Sequence, residues 1–342
     1  MSLGPFAHFE GRRKRPDEYE EVSAYMQWGE TFRGVYPDLP YGGTWYHFPE
    51  RYGFGYWDPK FTALRCVGWE EFRDPNKLTY KSYHAVQSER EQALEAVLMG
   101  ARASGAVGRL DAKWVDILRS FFPALRFSEW GVSIMHQYVA RFSISGLIAN
   151  CSVLQVFDEL RHTQRIAEWT RELESAHGGF SGYRAQWMED KLFQPLREVT
   201  ERLLALRDWA EVTVAANVLL EPLLQPVLFR ALSDLGTAYG DLVLPHFAYS
   251  LHLDEERHFA WGGEFARFVL EHQDEGAETR NHEIMQGWVE RWLPLVQRAT
   301  QPFEQVFADA GQADVFAQAY SQAEDGVVEA LEELGLLSWQ RA

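Results

Sequence analysis

The sequence of 342 residues is poor in cysteine, with Cys66 and Cys151 alone. Two thiols are too few for a four-cysteine zinc site, an iron–sulfur cluster or a disulfide framework. They suit a chain kept reduced in the cytoplasm. Positive charge is also scarce: 33 Lys and Arg stand against 50 Asp and Glu, a net charge of -17. A surface so acidic repels phosphate backbones and argues against nucleic acid as a partner. Strand-like alternation is sparse, and neither a short-period repeat nor a low-complexity run is present. The N-terminus has no apolar core of a secretory signal. The most apolar stretch, Val212 to Leu232, is interrupted by Asn217, Glu221, Pro222, Gln225, Pro226 and Arg230. An unpaired Glu at its middle would be costly in lipid, so it reads as a buried helix and not a membrane span.

Aromatic residues are abundant at 14%, with 13 Trp. That bulk points to a large, closely packed core or a large subunit interface. Residues 1–60 mix Gly and Pro with aromatics such as Trp45, Tyr46, Phe48, Phe54, Tyr56 and Trp57. Disordered tails carry few aromatics, so this segment reads as an arm that packs onto something. The chain divides into an N-terminal arm and loop-rich segment, 1–83, and a helical bundle, 84–337. From His84 onward apolar residues recur near a 3.6 period. Helical stretches are expected at 111–121, 123–149, 151–177, 181–208, 210–235, 239–273, 281–309 and 313–336. The fold class is all-α, and long helices with short connections make a bundle.

Two of these helices share one motif, D-E-x-R-H, at Asp158–His162 and again at Asp254–His258. A bare Glu-x-x-His pair occurs about once by chance in a Glu-rich chain. The pair Glu174/His177 shows this bland case: it abuts Gly178 and Gly179, where a His suits a helix end. Glu159/His162 and Glu255/His258 differ in kind. Residues three apart share a helix face, so each Glu and His can grip one ion. A di-iron carboxylate bundle of the ferritin-like type uses that pair twice and adds a lone Glu from each of two further helices. Glu129 is the acidic residue of stretch 123–149, and Glu221 sits among leucines in 210–235. They precede Glu159 and Glu255 by 30 and 34 residues. Those spacings fit antiparallel hairpins that travel about two dozen ångströms each way.

A charged Glu in such apolar helices must be paired with a cation. A buried salt bridge to Arg is the alternative for Glu221 alone. Four carboxylates, two neutral imidazoles and two ferrous ions sum to a neutral centre, as burial demands. Carboxylate and imidazole donors suit iron, with a mixed manganese–iron pair also admissible. Asp158 and Asp254 are out of line with the His of their own helices. The expectation is therefore crosswise: Asp158 serves His258 and Asp254 serves His162. Arg161 and Arg257 are placed to neutralise the aspartates. Pro222 and Pro226 remove backbone donors, so a distorted, π-type helix is expected around Glu221.

The two D-E-x-R-H motifs with Glu129 and Glu221 resemble those of the bacterial multicomponent monooxygenases that hydroxylate methane, toluene, phenol and alkenes. The resemblance spans roughly 60–310. Chain length and the segments Phe72–Tyr80, Asn150-Cys151, Leu154-Gln155 and Asp208–Glu211 look like the smaller beta chains. The six donors look like those of the longer, catalytic alpha chains. Gln225 stands where the alpha chains carry a Thr one turn after the third Glu. The resemblance implies an apolar substrate pocket at Leu125, Val132, Leu220 and Phe229, beside Gln225. It also implies a hydroxylase component that activates O2 and oxidises a small hydrocarbon or aromatic substrate. With no Gly-rich nucleotide motif and no Cys cluster in the chain, electrons must come from elsewhere, and the resemblance implies an NADH-dependent reductase and a small effector protein as partners. Two rival readings stand beside this one. One is a beta-like structural subunit, its arm wrapped on an alpha-like chain, in place of an iron-loaded homodimer. The other is another ferritin-like di-iron oxidase.

Overall fold

The structure, a computed structural model, describes residues 17–25 and 61–337. The arm expected at 1–60 therefore lies outside the described residues except for 17–25. There a short helix, α1 (Glu18–Tyr25), is tethered by the Tyr19 hydroxyl, which accepts the Asp74 N–H at 2.8 Å.

The remaining chain is helical: α2 (Tyr80–Ser104), α3 (Ala112–Phe121), α4 (Arg126–Phe142), α5 (Gly146–His177), α6 (Tyr183–Glu189) and α7 (Gln194–Leu204) come first. They are followed by α8 (Trp209–Ala238), α9 (Leu244–Glu271), α10 (Asn281–Thr300), α11 (Glu304–Asp309) and α12 (Ala313–Glu333). Among the described residues no strand forms; an isolated bridge joins Cys66 to Gln273.

Local chemistry sets these boundaries. Helix α2 starts four residues before His84 because Thr79 and Ser82 form a reciprocal capping box. The stretches expected to meet near residue 150 break instead at 143–145, where Ser143 and Ser145 are extended and the Ser145 hydroxyl caps α5 by accepting the Leu147 N–H. Residues 181–208 form two helices, not one, parted at Asp190, whose carboxylate accepts the Leu192 N–H.

Helices α4 and α5 form a tight antiparallel hairpin, and α8 and α9 a second. Helix α8 is long and apolar enough to cross a membrane, but its apolar window is 89% buried as the central rod of the bundle. It is not a regular α-helix. Val214–Leu220 and Pro226–Ala231 are π-helical and flank the α-helical turns Glu221–Gln225. Pro222 and Pro226 lack the N–H that would bond the fourth residue back, and the ladder relaxes to the wider spacing.

Helix α9 meets α8 closely at Gly262: a Cβ built there would lie 2.4 Å from Asn217 Cβ. Gly262→Ala is thus expected to cost about 1–3 kcal/mol by overpacking, read as a lower urea midpoint. An unchanged midpoint would mean that the two helices are not held at this distance.

A candidate dinuclear metal centre

The two hairpins bring all six expected donors to one place. Glu129 comes from α4, Glu159 and His162 from α5, Glu221 from α8, and Glu255 and His258 from α9. Each is at most 1% exposed, so water cannot solvate the charges. The atoms fall into two groups whose donors lie within 4.8 Å of one another: Glu129, Glu159, His162 and Glu255, and then Glu159, Glu221, Glu255 and His258.

Glu159 and Glu255 belong to both groups. His162 Nδ1 faces Glu129 Oε2 at 3.1 Å, Glu255 Oε1 at 3.4 Å and Glu159 Oε2 at 3.6 Å. His258 Nδ1 faces Glu159 Oε1 at 3.4 Å, Glu255 Oε2 at 3.4 Å and Glu221 Oε2 at 3.5 Å. Each shared carboxylate therefore turns one oxygen to each histidine, which is the geometry of a bridge.

The far side of each imidazole is engaged crosswise. His258 Nε2 lies 3.1 Å from Asp158 Oδ2, and His162 Nε2 lies 3.3 Å from Asp254 Oδ2. A carboxylate at Nε2 draws the ring proton there and leaves the Nδ1 lone pair pointing inward. Arg161 Nη1 donates to Asp254 Oδ2 at 2.6 Å, and Arg257 donates to Asp158. Both guanidinium groups neutralise the aspartate of the opposite motif. Glu174 and His177, by contrast, sit at the α5 C-terminus, where His177 Nε2 contacts the Val107 carbonyl at 2.7 Å.

Several of the inward atoms lack a partner. Both oxygens of Glu159 and Glu255, Glu221 Oε2 and His258 Nδ1 have no hydrogen-bond partner. Buried acceptors left unpaired are costly, and acceptors gathered in this way fit a pair of divalent cations. Burial drives the carboxyls of Glu159, Glu221 and Glu255 well above the ordinary range, and neighbouring carboxylates push the same way. Burial, and next the Arg257 charge, lower His258. Burial also works against charge on His162, but its bonds to Asp254 and Glu129 outweigh this and raise it.

These shifts have a sign that can be measured. Without metal, the three raised carboxyls hold protons that the unfolded chain has released. Folded stability is then full below about pH 4.3 and declines as pH rises through the raised values. Divalent cations bound here would replace those protons, so loading would release protons and strengthen with pH. Melting temperatures of loaded and metal-free protein are expected to diverge as pH rises above about 4.3, the ordinary Glu value. Parallel curves would contradict the arrangement.

Several side chains at the centre have no spacing that announces them. Gln155 donates from Nε2 to Glu221 Oε1 at 2.8 Å, while its Oε1 accepts from Asn217 Nδ2 at 2.7 Å and Trp261 Nε1 at 2.9 Å. The signal available was position: Gln155 is one turn before Glu159, and Asn217 one turn before Glu221. Tyr83, Gln87 and Arg90 of α2 also reach the two aspartates.

The residues expected to line a pocket, Leu125, Val132, Leu220 and Phe229, are all buried. The Phe229 ring meets His162 edge-on at 5.6 Å. Gln225 Nε2 lies 3.3 Å from Glu129 Oε1 and donates to it. A cavity of about 190 Å³ lies elsewhere, between the 106–110 loop, Trp169 of α5 and the 239–243 connection.

A helical bundle whose core helices converge four carboxylates and two imidazoles has the ferritin-like di-iron fold. Comparison with known proteins agrees. The Methane/Phenol/Alkene Hydroxylase family is matched over residues 52–273, and the chain belongs to that family. The chain is similar to the beta subunit of the toluene-4-monooxygenase hydroxylase component of Ectopseudomonas mendocina, 26% identical over 304 residues covering 87% of this chain and 88% of that one. A structure of toluene 4-monooxygenase with toluene in its resting active site superposes with a TM-score of 0.71 at 25% identity, over 86% of this chain and 94% of that chain. Xenon-pressurised phenol hydroxylase from Pseudomonas sp. OX1 shares the fold with a TM-score of 0.79 at 19% identity, over 98% and 94% of the two chains.

Proposed function

We propose that this chain is itself an O2-activating di-iron hydroxylase component of a multicomponent monooxygenase. The observation that supports this most is the pair of shared carboxylates, Glu159 and Glu255, each with one unpartnered oxygen toward each histidine. Glu129 and His162 would complete one ion's ligand set, and Glu221 and His258 the other's. When bound, two irons supply reductive activation of dioxygen and insertion of an oxygen atom into a C–H or aromatic bond. The same donors accept manganese in a mixed pair.

The chain's own residues do the rest. Asp158 and Asp254 hold the imidazoles in the tautomer that binds. The Gln155 amide steers one oxygen of Glu221, and Gln225 steers one of Glu129. Leu125, Val132, Leu220 and Phe229 keep water from the centre and face a small hydrocarbon or aromatic substrate. Electrons arrive from an NADH-dependent reductase, a small effector protein tunes access, and the assembly works in the cytoplasm.

A second reading, a non-catalytic beta-like subunit, is favoured by the length match to the toluene-4-monooxygenase beta subunit. Expression of the chain alone separates the two. A monodisperse homodimer that holds more than about one iron per chain after anaerobic reconstitution is the expected result. A chain that is soluble only beside a larger partner, and free of iron, would favour the second reading.

A further inference from the structure

Helix α2 carries none of the six converging donors, yet it stands behind both halves of the centre. Gln87, 8% exposed, lies between the two His–Asp pairs. Its Nε2 is 2.7 Å from Asp158 Oδ1 and 2.6 Å from Asp254 Oδ1. Charge fixes the amide's orientation, since an oxygen in place of Nε2 would face two carboxylates. Both amide hydrogens are therefore committed to aspartates that serve opposite histidines. The neighbours on α2 act on one side each. The Tyr83 hydroxyl donates to Asp158 Oδ1 at 2.8 Å, and Arg90 donates to Asp254.

We infer that Gln87 is a positioning residue for the whole centre: one neutral amide ties Asp158–His258 to Asp254–His162 and so orients both imidazoles at once. This rests on the metal reading above. Without the amide, the two carboxylates lose the donor that lies within hydrogen-bond distance of both. Each is then drawn toward its own arginine, and both histidines lose the alignment that aims Nδ1 inward. Tyr83 and Arg90 each reach a single aspartate, and Arg257, which pairs with Asp158, stands 3.8 Å from Asp254 Oδ1, beyond hydrogen-bond reach.

The test is a titration of metal-free, full-length protein with Co(II), whose d–d absorption reports the ligand field of each ion and is redox-inert under anaerobic conditions. Wild type, Gln87→Met and Tyr83→Phe are compared, with melting curves by circular dichroism to verify folding. Wild type is expected to take up two Co(II). Gln87→Met is expected to weaken both binding phases by about 10–100-fold and to alter both spectra. Tyr83→Phe should weaken one phase only, that of the His258 side. Should Gln87→Met fold poorly, Gln87→Glu keeps the shape while replacing the donors with acceptors, and the same loss in both phases is expected.

A folded Gln87→Met or Gln87→Glu protein with unchanged phases and spectra, or with one phase weakened, overturns the inference and leaves the metal reading standing. Wild type that takes up no Co(II) overturns both.

Discussion

Glu159→Leu is expected to abolish loading of both ions while leaving the metal-free fold at least as stable as wild type. Glu159 turns one oxygen to each histidine, so its loss removes a donor from both positions. The affinity loss should exceed about 100-fold, the upper end of what losing an outer partner costs. Both Glu159 oxygens lack any donor, and burial with three neighbouring carboxylates already drives the group toward its neutral form. A leucine of similar volume relieves that cost, and replacements of this kind are neutral or stabilising by about 1–4 kcal/mol. Were the cluster instead a structural salt-bridge network, the same change would destabilise by about 3–5 kcal/mol. Iron content by plasma mass spectrometry and a melting curve of the metal-free variant, measured together, distinguish the cases.

Asp254→Ala is expected to do the opposite to stability. Its carboxylate is fully buried and receives Arg90, Arg161 and Gln87, and it faces His162. Burial disfavours the Asp254 charge, but the bond to His162 and the Arg161 and Arg90 charges outweigh this and hold its pKa below the ordinary value. Removal leaves buried cations without their anion, a loss of about 3–5 kcal/mol. For a chain of this size the melting temperature should fall by roughly 10 °C. A shift of less than about 2 °C would show that the aspartate is not the anchor of this network.

The contrast between these two carboxylates follows from what each one faces, and part of that was legible in the sequence. Glu159/His162 and Glu255/His258 are local i, i+3 pairs, so helical periodicity alone put each pair on one face. Glu129 and Glu221 stood out as charges in apolar helices, and the crosswise engagement of Asp158 and Asp254 followed from their misalignment with their own histidines. The distortion of α8 was announced by Pro222 and Pro226, although the π-helical turns flank Glu221 and do not include it.

Other features rest on long-range contact and left no local trace. Gln87 is 71 residues from Asp158 and 167 from Asp254, and no periodicity relates them. The 143–145 break depended on a serine cap that propensity underweights. The division of 181–208 turned on one Asp-based turn.

Six side chains of this chain are expected to hold two ions between Glu159 and Glu255. Crystals of the full-length protein, loaded anaerobically with ferrous iron and measured at the iron absorption edge, test it most directly. Two anomalous peaks about 3.5–4 Å apart are expected, one beside His162 and Glu129 and the other beside His258 and Glu221. A loaded crystal with no peak between the two histidines, or with iron bound only at the surface, would contradict it.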